Sequence, residues 1–343
     1  MQIQQVTLVR TPQGKPVEAD FAVGTGTLAD ADALRDGQAL VQVLALSLDP
    51  YLRSAMAGRH LSAPIAPGDV VRGEGLVQVL ASRHPRLAVG SRWVSACGWR
   101  SAAVLDDGAI AAARPVAAHI DPPTLALGIL GMPGLTAWAG FTKLMEARAG
   151  DTLVVSAAAG PVGSTVGQLA KIAGCRVVGI AGGPEKCRWA TEVAGFDACI
   201  DHHAPGEGGL RGALKRACPN GIDLYFDNVG GDVLLAVCEQ LAVGARLVLC
   251  GLIAQYNGEA PVPLNPGFVI RARATVRGLV VYDHWGEIDR MTAELSGHLA
   301  AGRLHFREDR STGLASAPAA FVRLMNGLNQ GKALVILRTG DTS

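Results

Sequence analysis

Apolar positions follow one rhythm in the first third of the chain and another in the rest. Residues 40–46, 70–71, 76–80 and 92–95 are short runs with partial alternation, and each is predicted to be a strand. Turn residues part them at Pro67-Gly-Asp69, Gly73-Glu-Gly75 and Val89-Gly90. Short strands at this spacing, with few helical periodicities between them, predict a small β-barrel or sandwich. Beyond Asp121-Pro-Pro123, strands alternate with helices. Strands are predicted at 152–156, 176–180, 198–200, 223–227, 246–250 and 274–281, and helices at 162–173, 186–194 and 233–241. Runs that are apolar on both faces belong in a parallel sheet covered by helices on both sides. A last strand, at 332–337, is placed to rejoin the first domain. The expected class is α/β, with a β-domain in residues 1–122 completed by 303–343 and a doubly wound parallel sheet in 123–302.

Composition then narrows the function classes. The 343 residues are 49% hydrophobic and 18% charged, within the range of a soluble globular protein. A net charge of +1, without basic or acidic blocks, gives no electrostatic footprint for nucleic acid or an anionic membrane. No apolar run reaches the roughly twenty residues of a membrane span. The amino terminus lacks the charged-then-apolar pattern of a signal peptide. The seven cysteines are dispersed, without a Cys-x-x-Cys pair. They are read as reduced thiols, and the protein is expected in the cytoplasm.

The chemistry is concentrated in Ser156-Ala-Ala-Ala-Gly-Pro-Val-Gly163. Against the dinucleotide pattern G-x-G-x-x-G, Ala158 takes the first place and Gly160 and Gly163 the others. The segment follows a strand and opens a helix, as that fingerprint requires. Gly160 lets a pyrophosphate approach the backbone, Gly163 lets the helix pack on the strand, and Pro161 suits the first helical position. The helix N-terminus then offers N–H groups and partial positive charge to phosphate.

An NAD site places an acid at the end of the second strand, on the ribose hydroxyls. Here that strand runs into Ala181-Gly-Gly-Pro184, with Glu185 late and Lys186 and Arg188 beside it. Lys186 is therefore a candidate ligand of a 2′-phosphate, and NADP(H) is the expected cofactor. A zinc site is not expected. Cys97 is the one cysteine before residue 175, and His60, His84 and His119 have no paired ligand nearby. His202 and His203 are adjacent and on a strand would face opposite ways.

Six segments together resemble the zinc-independent branch of the medium-chain dehydrogenase/reductase family that holds the prostaglandin, curcumin and alkenal double-bond reductases. They are Leu46-Ser-Leu-Asp-Pro-Tyr-Leu-Arg53, Gly131-Met-Pro-Gly-Leu-Thr-Ala-Trp138, Ala157-Ala-Ala-Gly-Pro-Val-Gly-Ser164, Tyr225-Phe-Asp-Asn-Val-Gly-Gly231, Cys250-Gly-Leu-Ile-Ala-Gln-Tyr-Asn257 and Gly327-Leu-Asn-Gln-Gly-Lys332. The resemblance implies a GroES-like β-barrel domain interrupted by a Rossmann NADP-binding domain, and usually a homodimer. It implies that Pro161, Val162, Gly163 and Ser164 hold the pyrophosphate and that Lys186 meets the 2′-phosphate. Asn228, Cys250, Gly251, Leu252, Ile253 and Tyr256 would run along the cofactor. Leu279, Val280 and Val281 would flank its nicotinamide end, and Asn329 would reach it from the carboxy-terminal segment. His202 stands where the family has a tyrosine near the 2′-phosphate, and Pro161 where it usually has Ala.

The implied reaction is NADPH-dependent reduction of the carbon–carbon double bond of an enone or enal. Hydride at the β-carbon leaves charge on the carbonyl oxygen, which a positioned donor must meet. Tyr256, after the fifth strand and so at the carboxyl edge of the sheet, is the catalytic candidate. Tyr51 and Arg53 are candidates for the substrate side, and Arg271, Arg273 and Arg277 are spaced to share a strand face. A quinone reductase on the same scaffold and a low-turnover NADPH-binding sensor are the alternatives.

Overall fold

The computed structural model describes residues 1–337 and divides into two units, Met1–Gly128 with the stretch from Glu308 onward, and Ile129–Arg307. The first unit opens with an antiparallel pair, β1 (Gln2–Leu8) and β2 (Phe21–Thr27), which the sequence pattern had not marked. There follow β3 (Ala39–Ser47), helix α1 (Tyr51–Met56), β4 (Gly75–Ser82), β5 (Arg92–Ser95), β6 (Ala102–Leu105), helix α2 (Asp107–Ala112) and β7 (Arg114–Pro115). The expected strand at 70–71 is not one. Val70 makes a single bridge to Thr7, and Val71 N–H donates to the Val6 carbonyl.

In the second unit, α3 (Met132–Ala139) precedes a strand–helix alternation. It runs β8 (Thr152–Ser156), α4 (Pro161–Ile172), β9 (Arg176–Ala181), α5 (Pro184–Glu192), β10 (Ala198–Asp201), α6 (Gly209–Ala217), β11 (Ile222–Asp227), α7 (Gly231–Cys238), β12 (Leu241–Leu249), α8 (Pro266–Ala272), β13 (Thr275–Gly278) and α9 (Ile288–Ala300). All neighbours pair in parallel, in the order β10-β9-β8-β11-β12-β13. This is the doubly wound Rossmann order, with the direction of winding reversing between β8 and β11. The strands are apolar because both faces are covered. Val154, Val178, Ile180, Tyr225 and Leu247 are all buried in one core.

Three local expectations are corrected. The helix expected to reach residue 241 ends at Cys238, because Leu241 is already in β12, paired with Ile222 ahead of a bulge. Helix α6 was missed behind the glycines at 206, 208 and 209, although Leu210, Ala213, Leu214 and Ala217 recur at helical spacing. The sixth strand is only Thr275–Gly278. Arg271 lies in the last turn of α8, Arg273 is left-handed (φ 49°) and Arg277 lies in β13, so the three share no strand face.

The chain then returns to the first unit with β14 (Glu308–Thr312), α10 (Ala317–Met325) and β15 (Lys332–Ile336). β15 pairs with residues 45–47 of β3, while β6 pairs with residues 39–42 on the same edge. The resulting mixed sheet has the path β14-β15-β3-β4-β5-β7. Leu334 and Ile336 close a core with Leu44, Leu76 and Val94. Phe321 of α10 meets Phe21 and Trp99 edge-on, with centroids 6.0 and 5.7 Å away. A β-rich unit and a unit with a Rossmann sheet are the expected fold class. Among the described residues no helix is long and apolar enough to cross a membrane.

Candidate functional site

The turn after β8 is built for close approach to its backbone. Ala157 is held at φ 50°, a left-handed conformation in a non-glycine residue, and its carbonyl accepts the Gly160 N–H at 2.9 Å. Gly160 is extended and caps α4, Pro161 is the first helical residue, and Ser164 N–H returns to the Gly160 carbonyl at 2.9 Å. Val162 and Gly163 therefore stand in the first turn, where N–H groups have no acceptor within the helix. A β-carbon on Gly163 would lie 2.5 Å from the Ala157 oxygen, so glycine is obligatory there. Ala158, in place of the first fingerprint glycine, is accommodated by Gly179 on β9, whose own β-carbon would come within 2.8 Å of it. That compensation was legible only once β8 and β9 were side by side.

At the end of β9, Gly182 and Gly183 turn the chain into α5, with Gly183 at φ 94°. Asp201 Oδ1 accepts the N–H groups of Gly183 (2.8 Å) and His203 (3.0 Å), and these bonds hold the carboxyl below its usual range. The two histidines follow β10 in a turn, not on a strand, and they do not face opposite ways. Their rings meet edge-on with centroids 4.2 Å apart. Both reach Gly182. His203 Cε1 and His202 Nε2 stand 2.9 and 3.1 Å from where a β-carbon would be. Burial lowers the His202 pKa first, with further lowering from His203 and from Lys186. Glu185, the acid that follows this strand end along the chain, is bound to Arg307 at 2.5 Å. His203, Asp201 and Gly182 were missed by sequence reasoning, although the His-His doublet was in view.

The switch between β8 and β11 is organised by Asp227, another residue that was missed. Its carboxylate is fully buried and accepts from Ser156 Oγ (3.0 Å), Tyr225 Oη (2.7 Å) and the N–H groups of Val229 and Gly230 (both 3.0 Å). Burial, and then the Asp227 charge, push the Tyr225 phenol well above its ordinary pKa, so it remains a donor. Asn228 is tied back to β8, its Nδ2 donating to the Ser156 carbonyl at 2.8 Å. The loop after β12 is laced to the same place. Cys250 and Gly251 donate to the Asp227 carbonyl at 2.8 and 3.1 Å, and Ile253 donates to that of Asn228 at 3.4 Å. Gly230 leaves room for Leu252, whose Cδ2 would be 2.7 Å from a β-carbon there. Cys250 is pushed up to about 12 by burial, which makes it an inert thiol.

Tyr256 belongs to this loop. Its oxygen accepts the Leu252 N–H at 3.5 Å and lies 3.5 Å from the β-carbon position of Gly251, and burial raises its pKa. Leu279 N–H extends the β13 ladder to the Leu249 carbonyl at 2.9 Å, and Val280 and Val281 lead into a 3₁₀ turn. The second unit thus gathers residues 160–164, 186, 202, 228, 250–253, 256 and 279–281 along the carboxyl ends of its parallel strands.

Tyr51, Arg53 and Asn329 belong to the first unit. Tyr51 begins α1 and stacks on His60, with centroids 4.8 Å apart. Arg53 is only 2% exposed, and its guanidinium donates to the Pro12 and Gly14 carbonyls, both at 2.9 Å. Asp49, in the same segment, is bound by Lys332 at 2.5 Å. Asn329 Nδ2 donates to the Gly331 carbonyl at 2.7 Å. Among the described residues no three or more His, Cys, Asp or Glu side chains are grouped to hold a metal ion.

Two family models match the chain: an N-terminal domain of oxidoreductases at residues 4–112 and a zinc-binding dehydrogenase model at 161–297. The chain is 39% identical to an NADPH-dependent curcumin reductase of Escherichia coli (strain K12), over 97% of this chain and 96% of that protein. It is 36% identical to an NADP(+)-dependent 2-alkenal reductase of Nicotiana tabacum, over 97% of each. The crystal structure of CurA in complex with NADPH from Vibrio vulnificus superposes with a TM-score of 0.90, at 38% identity over 98% of this chain and 99% of that one.

Proposed function

The chain belongs to the medium-chain dehydrogenase/reductase family, in the branch of the curcumin and alkenal reductases, and from that premise we propose that it is an NADPH-dependent reductase of the carbon–carbon double bond of α,β-unsaturated ketones or aldehydes. The observation that carries the cofactor choice is the end of β9. A Gly-Gly turn faces two imidazoles and Lys186 follows it, while Glu185 is engaged by Arg307 and Asp201 by the N–H groups of Gly183 and His203. That arrangement suits a phosphate better than ribose hydroxyls, since both nearby carboxylates are already engaged.

The residues at the strand ends fit a dinucleotide. Pro161, Val162, Gly163 and Ser164 would hold the pyrophosphate, and Lys186 and His202 the 2′-phosphate. Asn228, Cys250, Gly251, Leu252 and Ile253 would line the cofactor, with Leu279, Val280 and Val281 at the nicotinamide end. NADPH, when bound, supplies the hydride equivalent. Tyr256 would donate its phenolic proton in a hydrogen bond to the substrate carbonyl oxygen, where charge accumulates as the β-carbon is reduced. Its raised pKa keeps that proton on the phenol. Water would protonate the α-carbon. Tyr51 is the substrate-side aromatic, and Arg53 acts as a positioning residue by holding the loop at Pro12 and Gly14. A homodimer in the cytoplasm, with the second unit binding NADP(H), completes the proposal.

The test is NADPH oxidation, followed near roughly 340 nm, with an enal and enone panel, a quinone panel and NADH as control. Saturated ketones or aldehydes formed with NADPH preference support the reading. Turnover of quinones alone moves the protein to quinone reduction. NADPH binding without any turnover makes it a sensor and removes the role given to Tyr256.

A further inference from the structure

Outside the residues given to catalysis, one pair of nucleophilic side chains stands out in the second unit. Cys187, in the first turns of α5, and Cys199, on β10, have their sulfurs 3.0 Å apart. At that distance one thiol can donate to the other sulfur. It is made possible by Gly179, since a β-carbon there would stand 3.2 Å from the Cys199 sulfur. Both cysteines are half-buried, unlike Cys97, Cys175, Cys218 and Cys238, which are buried. Cys187 lies near a helix N-terminus, where a thiolate is favoured. The Cys199 hydrogen bond lowers its pKa, while Cys199 is displaced upward by donating that bond and by burial. Its place in the first turns of α5 makes Cys187 the attacking member and Cys199 the resolving one.

We propose that Cys187 and Cys199 are an oxidisable dithiol that a peroxide closes to a disulfide and a thiol reductant reopens, and that closure weakens binding at the 2′-phosphate end of the cofactor site. In the first step the Cys187 thiolate attacks the peroxide. The O–O bond breaks, one oxygen remains on sulfur as the sulfenic acid, and the other leaves as hydroxide, or as alkoxide from an alkyl hydroperoxide, and takes up a proton to become water or the alcohol. In the second step the Cys199 sulfur attacks the sulfenic sulfur, the S–S bond forms and water departs. The two thiols lose two electrons and two protons, and hydrogen peroxide is reduced to two waters, or an alkyl hydroperoxide to an alcohol and water. Bond formation shortens the sulfur separation from 3.0 Å to about 2.05 Å. α5 enters through the Gly182-Gly183 turn and can follow that pull. Lys186 directly precedes Cys187, and His202 lies three residues after Cys199, so the shift is delivered to both proposed phosphate ligands. This second half rests on the cofactor reading above.

The full-length protein is treated with hydrogen peroxide under native conditions, alkylated, digested and mapped by mass, beside Cys199→Ser and Cys187→Ser. The expected result is a Cys187–Cys199 cross-link that dithiothreitol reverses, absent from both variants, with a dimedone-trappable sulfenic acid at Cys187 in Cys199→Ser. Free Cys187 and Cys199 thiols after other sites have oxidised would overturn the dithiol. NADPH and NADH are then titrated against the reduced and cross-linked protein. The NADPH Kd is expected to rise about tenfold on closure, the loss of one hydrogen bond to a charged group, with that for NADH unchanged. A cross-linked protein with unaltered NADPH affinity overturns the coupling if Lys186→Ala weakens NADPH binding. If Lys186→Ala leaves the preference for NADPH over NADH intact, the phosphate reading itself has failed and the coupling falls with it, while the cross-link is judged on the mass map alone.

Discussion

Replacing Gly163 by Ala tests the phosphate turn most directly. Dinucleotide fingerprints in general admit Ala at this third position, but the local geometry here forbids it. The added β-carbon would meet the Ala157 oxygen at 2.5 Å, the Ala157 carbonyl carbon at 3.0 Å and the Ser156 oxygen at 3.0 Å. Ordinary contact begins near 3.4 Å, so the first of these is short by about 0.9 Å, and the obstacle is backbone. Ala157 cannot yield freely, because it already sits at φ 50° and its carbonyl is held by the Gly160 N–H. Overpacking costs about 1–3 kcal/mol, and losing that hydrogen bond about 1 kcal/mol more. The expected total is about 2–4 kcal/mol, or roughly 30- to 1000-fold, divided between folding stability and NADPH affinity. Urea unfolding of the apoprotein and fluorescence titration with NADPH measure the two parts. Gly297→Ala is the control. It lies within α9 with nothing within 4 Å of its β-carbon position, and should stabilise by about 1 kcal/mol. If Gly163→Ala changes both quantities by less than about 0.5 kcal/mol, the reasoning about this turn is wrong.

Lys186→Ala should raise the NADPH Kd by about ten- to a hundredfold and leave that of NADH in place, and equal effects on both would refute the assignment. Because its environment of burial, His203 and Lys186 depresses the His202 pKa, the fold favours neutral imidazole. The apoprotein should therefore lose stability as pH falls from the unfolded value of about 6.5 to below the lower folded pKa, the window in which the unfolded state binds more protons. A bound 2′-phosphate reverses the preference, so the NADPH-to-NADH affinity ratio should rise as pH falls from 8 toward 6, and the slope should become shallower in His202→Gln, with His203 and Asp201 still facing the site. Tyr256→Phe should reduce kcat on an enone by about a hundredfold, the scale of one oxyanion donor, with NADPH affinity unchanged, and an undiminished kcat would remove it from the mechanism. Lys332→Met strands the buried Asp49 carboxylate and should destabilise the first unit by about 3–5 kcal/mol in a urea melt, whereas a loss below about 1 kcal/mol would mean that the carboxylate is not confined as described.

Local pattern determined a good deal. β5 and β8 have the expected bounds, Arg92–Ser95 and Thr152–Ser156, and α4 begins at the proline expected to open it. Those features depend on apolar runs, on a proline suited to a helix start and on glycines in a turn, all of which act within a few residues. The family segments, and with them the class of chemistry, are likewise carried by contiguous stretches of chain. Tertiary structure decided the rest, because the deciding partner lay far away. Glu185 is engaged by Arg307, 122 residues on. Ala158 is tolerated in a glycine position because a neighbouring strand offers Gly179. His202 and His203 lie side by side because β10 ends one residue before them and Gly182 leaves the space. Asp227 gathers donors from β8, β11 and the following turn, a convergence that no single segment announces. Sequence patterns record which residues prefer which local geometry. Hydrogen bonds and close approaches between distant segments exist only after the sheet has set its strand order, and these contacts decide what each side chain at the strand ends is left to do.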